Sequence, residues 1–440
     1  MKKFIHIFLA SIFLCLPVFA QEKPIAFINA KIIPIVGTPI EQGILIVQNG
    51  KITAIGDART VRLTADLQKI DLQGKVIMPG LIDTHSHIGE GSGADGSSPI
   101  QPDVRLLDGL NPRAASIQRA QSGGITTANV MPGSGHLNSG QTLYIKLRDG
   151  AVKVDDLLIW ETPTRYAGGI KFANGTNPIR SGGGNFPGTR AKSAALVRDQ
   201  FIKAKEYQAK IAKAAGDSSK LPPRDLAMEA LVEVLEGKRV VHFHTHRHDD
   251  IMTALRLQKE FGFKIVLQHV SEAWKVADEI AKAKVPSSII MIDSPGGKLE
   301  TLDVSMTNGA ALEKNGAMVG FHTDDNITDS RWFLRSAGMA VRFGMSREKA
   351  LYGMTMAGAI MLDMDRKIGS LETGKDADFI VLSGDPLSVY TKVLETWVEG
   401  KKVFDRNNPT DYLIQVGGLG AGNDKHQHID CFDGDIGGGN

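Results

Sequence analysis

Cysteine is nearly missing from this chain, with Cys15 and Cys431 the only two among 440 residues. That scarcity excludes a four-cysteine zinc site and a disulfide framework. Net charge is nearly missing too: 51 Lys and Arg against 49 Asp and Glu leave +2. No run of five like charges upsets the balance. A basic nucleic-acid binder and an acidic disordered chain are both disfavoured. Beyond the first twenty residues there is no long apolar run, so no membrane span is expected there.

What remains is an ordinary globular mix, 42% hydrophobic and 23% charged. The length suits two or three domains, or one large barrel with a smaller unit. Glycine is plentiful, 48 residues or about 11% against a usual ~7%, which implies many tight turns. Twelve histidines leave room for a histidine metal site.

The start has the pattern of an export signal. Lys2 and Lys3 precede an apolar run from Phe4 to Phe19, and the run ends Val18-Phe19-Ala20. Cleavage after Ala20 is expected. Phe13 and Leu14 before Cys15 are not the small residues that lipidation wants. The mature chain is therefore expected to be a soluble periplasmic or secreted protein.

Residues 21–80 read as short strands, with Asn49-Gly50 as a hairpin signal between Ile44–Val47 and Ile52–Ile55. From Leu81 to about residue 365, short apolar strands alternate with helical stretches. Strands are predicted over Ile125–Val130, Val240–His244, Ile265–His269, Ser288–Ile292 and Met318–His322. Helices are predicted over Ala191–Ala215, Ile251–Phe261, Trp274–Ala283 and Ser346–Ala359. This alternation predicts a parallel α/β fold whose length suits a barrel; an open doubly wound sheet is the alternative. Residues 366–412 return to a β pattern and are expected to join 21–80 in one small sheet unit. Residues 413–440 hold eight glycines among polar residues and are expected to form a loose tail. Two segments, 89–103 and 174–190, read as loops at the mouth of a barrel. Neither contains the G-K-[ST] of a phosphate loop, and the G-x-G-x-x-G spelling at 91–96 opens no helix.

The chemistry concentrates in histidines. In His85-Ser86-His87 the two imidazoles are two residues apart, so on a strand they share a side and can converge on one metal ion. They stand at a predicted strand end, where α/β barrels place active sites. Histidine recurs at every second position over His242, His244, His246 and His248, too many for one ion. The strand should end near His244, leaving His242 a layer deeper and His246 and His248 in the loop beyond. His269 closes another apolar strand, and Asp324 follows a third. Histidine and carboxylate are the usual donors for catalytic Zn²⁺ and similar ions.

The string MPGLIDTHSHI, the strand-end His244, His269 and Asp324, and the late stretch GSLETGKDADFIVL together resemble the amidohydrolase superfamily. The resemblance spans about residues 25–410 and is nearest to the imidazolonepropionase-like and prolidase-like branch. It implies a (β/α)8 barrel of TIM type with a small β-sandwich made from both chain ends. It implies His85, His87, His244, His269 and Asp324 as metal ligands, with Asp324 also carrying a proton from water to the leaving group. Two-metal members add a lysine carboxylated by CO₂ as a bridge, for which Lys171 is the candidate. The expected cofactor is one or two Zn²⁺ ions. The expected substrate is a small amide: a dipeptide such as Xaa-Pro, an N-acyl amino acid or a cyclic amide.

His136 and Arg247 are further candidates for substrate contact. His322 reads as a satisfied core histidine, Asp249 or Asp250 as a helix cap, and Trp332 and Phe333 as helix packing. His426 and His428 fall in the glycine-rich tail. Two other functions stay open, a deaminase of a ring amidine and a non-catalytic binding protein on the same scaffold. The 191–215 helix is a surface on which a homo-oligomer could form.

Overall fold

The computed structural model describes residues 22–91, 93–180, 184–291, 298–325 and 327–417. The expected export signal, most of the glycine-rich tail and both cysteines lie outside these residues.

The chain opens with β1 (Ile25–Ile32), β2 (Ile40–Gln48), β3 (Lys51–Asp57), β4 (Gln68–Asp71) and β5 (Val76–Pro79). Between β2 and β3, Asn49 and Gly50 both take positive φ, 51° and 74°. That is the backbone of the hairpin the Asn-Gly pair predicts.

The middle of the chain supplies β6 (Leu81–Ser86), β7 (Ile125–Val130), β8 (Asn138–Gln141), β9 (Leu143–Lys146), the small hairpin β10 (Trp160–Thr162) and β11 (Arg165–Tyr166), β12 (Ile170–Ala173), β13 (Val241–Thr245), β14 (Ile265–His269), β15 (Ser287–Ile289) and β16 (Val319–Phe321). Strands β8, β12, β13, β14, β15 and β16 form one sheet in that order, and β6, β7 and β9 form another. Where β6 faces β16, the Asp324 amide donates to the His85 carbonyl (2.9 Å) and the Thr84 hydroxyl to the Phe321 carbonyl (3.2 Å).

The array is not all parallel, as the alternation predicts. β9 runs antiparallel to β7, and β8 runs antiparallel to β12. The reason is the connection: the 131–137 segment after β7 contains no helix, and a parallel return needs a longer crossover.

The last strands, β17 (Phe379–Leu382), β18 (Val393–Val398) and β19 (Lys401–Asp405), rejoin the first ones. β17 lies antiparallel to β5, so both chain regions share one eight-stranded sheet. Phe27, Phe379 and Trp397 meet on it with ring centroids 4.9–5.5 Å apart.

Alternation along the strands sets the site. Phe172 and Phe243 point away from it and stack with each other; Phe172 also stacks on Phe201 of the Arg190–Ala214 helix. Their neighbours Lys171, His242 and His244 therefore point the opposite way. Burying one such ring contributes about 1.5–3 kcal/mol, so the register is firmly set.

Several predicted boundaries shift. The 346–359 helix is two, Arg347–Gly353 and Met356–Met361. At Gly353 an added Cβ would lie 2.7 Å from the Phe321 ring, so the chain hugs β16 there. Trp274–Ala283 begins as a short 3-10 turn, Ala273–Lys275. The tail does not start at 413: Leu413 to Val416 complete the helix Pro409–Val416. Gln415 anchors that helix to the Ser122 and Val393 carbonyls.

Candidate metal centre

At the end of β6, His85 and His87 converge on a single carboxylate oxygen. Asp324 Oδ1 lies 3.2 Å from His85 Nε2 and 3.0 Å from His87 Nε2. His87 is oriented from behind, its Nδ1 2.8 Å from the Met131 carbonyl. The buried Asp83 braces both strands: it accepts from the amides of His85 (3.3 Å) and Thr323 (3.1 Å), and from the Thr323 hydroxyl (2.5 Å). Burial pushes the Asp83 carboxyl up to about 7 despite those bonds. Burial also pushes Asp324 up, but the His87 hydrogen bond and charge, with His322 and Lys171, hold it well below the usual carboxylate range.

His244 from β13 and His269 from β14 complete the core of the site, both buried, with ring centroids 4.4 Å apart. Sequence reasoning missed two more members. His246 lies 4.6 Å from the His244 ring and 4.9 Å from the His269 ring. His322 lies 4.9 Å from His85 and 4.7 Å from His269. Three donor groups result: His85, His87 and Asp324; His244, His246 and His269; His85, His269 and His322. Within each, the ligand atoms lie within 4.8 Å of one another. The i, i+2 spacing of 244/246 and of 322/324 was the available signal.

Burial makes the rings of His85, His244 and His269 poor bases and takes His246 and His322 down to about 3. They are neutral at physiological pH, which is the ligating form. Among the described residues, His85 Nδ1, His244 Nδ1 and His269 Nε2 are buried without a hydrogen-bond partner. Open nitrogens in a neutral imidazole cluster are what a divalent ion requires, so the residues fit a metal.

Lys171 is fully buried, its Nζ 2.9 Å from His85 Nε2 and 3.0 Å from Met131 Sδ. Burial lowers its pKa to about 7 against the pull of Asp324. His242 lies a layer deeper, as its position predicts, between Tyr144 Oη (2.8 Å) and Gln268 Nε2 (3.1 Å).

The 174–190 loop and the 131–137 segment meet beside His244. Asn177 Nδ2 is 3.2 Å from His244 Nε2 and donates to Ser134 Oγ at 2.6 Å. The half-buried His136 sits beside Phe186, with Nε2 2.7 Å from the Asp95 carbonyl. The Arg247 guanidinium is paired in two places with Asp249 (3.0 and 2.9 Å) and is 41% exposed. Neither Asp249 nor Asp250 caps the helix His248–Phe261. Glu272 does so instead, accepting from the His248 amide (3.0 Å) and sitting 2.6 Å from His248 Nδ1. Phe333 packs inside as predicted, whereas Trp332 is 47% exposed.

The Amidohydrolase family model matches residues 158–404, just over half of the chain. A solved amidohydrolase from Thermotoga maritima is 34% identical, with a TM-score of 0.80, over 87% of this chain and all of that one. Amidohydrolase tasK of Hapsidospora irregularis is 26% identical over 82% of this chain, which spans 40% of that protein's length. An imidazolonepropionase of Sphingopyxis alaskensis is 22% identical over 80% of this chain and 90% of its own. The family model stops short of His85 and His87, yet the solved relative covers most of the chain and the strand-end donors meet in space. On these grounds the chain belongs to the amidohydrolase family, metal-dependent hydrolases of carbon–nitrogen bonds.

Proposed function

We propose that the chain cleaves an amide or peptide bond of a small substrate at the His85–His87–Asp324 centre, with Zn²⁺ as the ion. The meeting of two histidine nitrogens on one Asp324 oxygen carries this reading. His85, His87 and Asp324 would hold one ion, and His244 and His269 belong to the same centre. A bound divalent ion supplies a water that ionises near neutral pH and polarises the substrate carbonyl.

The protein's own part is proton handling and positioning. Asp324 stays ionised across the physiological range, so one oxygen can accept a proton while the other remains engaged. It then returns that proton to the departing nitrogen, because an amine leaves poorly unless protonated. Asn177, on the loop beside His244, and His136, on the segment after β7, would face the substrate carbonyl or carboxylate.

The near return of β16 to β6 supports a closed (β/α)8-type barrel with a small β unit from both chain ends. The terminal Lys-Lys and apolar run support export to the periplasm or beyond. A second reading, deamination of a ring amidine, draws on the His248–Glu272 pair, a glutamate and histidine beside β14.

The test is metal quantitation followed by a screen of dipeptides, N-acyl amino acids and cyclic amides. One or two zinc equivalents with release of a free amine and acid support the reading. Release of ammonia with the ring skeleton left intact favours deamination, and a metal-free protein would remove the basis for both.

A further inference from the structure

We propose that Glu300 is a positioning residue: its buried carboxylate locks the turn after β12 and so sets the Asn177 amide against the His244 ring. The proposal rests on the hydrolase reading above, in which His244 belongs to the metal centre, and adds to it a residue that acts through a loop.

Glu300 lies on the short turn Leu299–Thr301, in the loop after β15, and is 3% exposed. Its Oε2 accepts from the Thr176 amide at 2.7 Å, the length of a charge-assisted bond. Among the described residues it is the only acceptor for that amide. Gly175 makes the approach possible. Its φ is 77°, and a Cβ on it would lie 2.5 Å from Glu300 Oε2; glycine alone meets both demands without strain. Arg190, which opens the Arg190–Ala214 helix, counters the charge. Its Nη2 lies 3.8 Å from Glu300 Oε2, and its Nε is shared by the two oxygens of Asp250 (3.1 and 2.9 Å). A loop and two helices thus brace one turn.

Asn177 is the next residue. Behind it the Ile179 amide donates to the Thr176 carbonyl at 3.1 Å. Arg180 Nη1 donates to the Asn177 carbonyl (2.6 Å) and Nη2 to the Gly135 carbonyl (3.2 Å). The backbone is therefore held on both sides of Asn177, whose side chain reaches His244 Nε2 and Ser134 Oγ. His244 Nδ1 is buried without a partner among the described residues, which makes it the nitrogen open to an ion. Nε2 then carries the proton, and a half-turn of the Asn177 amide offers Oδ1 to receive it. A hydrogen bond on the far nitrogen fixes the tautomer and orientation of a metal-binding imidazole. Control thus runs from Glu300 through Thr176 and Asn177 to His244.

The test is the zinc affinity of the full-length protein in competition with a chromophoric chelator. Asn177→Ala should weaken one binding step 10–100-fold. Glu300→Met leaves the Thr176 amide without its acceptor and should weaken the same step about 10-fold, near the lower end of that range. Glu300→Gln keeps a side-chain oxygen for the amide and should bind zinc as the wild type does. In Asn177→Ala/Glu300→Met the losses should not multiply, leaving the affinity of Asn177→Ala alone. Far-UV circular dichroism and the urea midpoint check folding. If Glu300→Met does not fold, Gly175→Ala displaces the carboxylate from the loop side and should behave in the same way. Wild-type affinity in the variant that folds, a glutamine variant as weak as the methionine one, or multiplying losses overturns the proposal and leaves the hydrolase reading standing. A wild type that binds no zinc overturns both.

Discussion

Lys146→Met should cost stability in a way that depends on pH. Lys146 lies on β9, 1% exposed, and its ammonium bridges Asp376 (2.8 Å) and Asp378 just before β17. It thereby ties the strands beside the metal centre to the end sheet. Asp376 has a second cation, the part-exposed Lys51 at 2.5 Å. Asp378 is buried and, among the described residues, otherwise accepts only the Glu399 amide (2.8 Å). Burial already raises the Asp378 pKa while Lys146 pulls it down. Removing the ammonium leaves that carboxylate two options, burial as an anion or protonation. Protonating an aspartate of reference pKa ~3.9 at pH 7 costs about 4 kcal/mol, at 1.36 kcal/mol per unit. The figure agrees with the 3–5 kcal/mol typical of breaking a buried pair.

The sign follows from proton binding. In the variant the folded state holds a proton that the unfolded state has lost above pH ~4, so stability falls as pH rises. The penalty should therefore shrink to about 1.5 kcal/mol at pH 5. Urea unfolding followed by tryptophan fluorescence at pH 5, 6, 7 and 8 measures it. Lys146→Met/Asp378→Asn should recover much of the loss at pH 7 and flatten the added pH dependence. A single variant whose deficit is the same at pH 5 and pH 7, or a double variant no more stable than the single, refutes the reasoning.

Three further outcomes follow. Asp324→Asn should lower kcat by about 10²–10⁴ while the fold is retained; full turnover with unchanged metal content would remove the proton role. Gly169→Ala would place a Cβ 2.5 Å from both the His242 ring and the Val240 carbonyl. It should cost about 1–3 kcal/mol by overpacking, and an unshifted urea midpoint would show that the strand can yield. Protein recovered from the periplasm should begin at Gln21 by mass spectrometry, whereas an intact Met1 in that fraction would contradict cleavage after Ala20.

The site was more legible in the sequence than the sheets that hold it. Two imidazoles two apart share a face on any strand, whichever sheet it joins, and apolar strands that stop at His244 and His269 mark their own ends. The partner of Arg247 was also not foreseen: a loop guanidinium with an aspartate two residues on pairs locally, at Asp249. The antiparallel β8–β9 segment was also hidden: direction is set by the absence of a helix in 131–137, not by any residue in the strand. His246 and His322 were hidden for another reason. Both obey the same i, i+2 rule as His85 and His87, but one was assigned to a loop and the other to the core. Ser271, remote in sequence, holds His246 Nδ1 at 2.8 Å and leaves Nε2 toward the site, while Ser288 and His269 take the two nitrogens of His322.

The backbone at the ligands is itself held in a sparsely populated conformation. His269, Val270 and Asp324 have φ of 69°, 43° and 50°, a region that residues with side chains rarely occupy and that costs about 1–3 kcal/mol each. Such strain persists only where the surroundings over-determine it. At β14, the Val270 amide donates to the Thr245 carbonyl (2.9 Å), while Asn308 Nδ2 donates to the carbonyls of Val270 (2.7 Å) and Ser271 (3.2 Å). At the end of β16, the Asp324 amide is held by the His85 carbonyl, and Asp83 holds Thr323 by amide and hydroxyl. Each tether comes from a neighbouring strand or helix, none from a ligand side chain. The donors are thus aimed by the scaffold before any ion arrives, and the ordering cost is met during folding. A centre built this way gains metal affinity because binding has few side chains left to order.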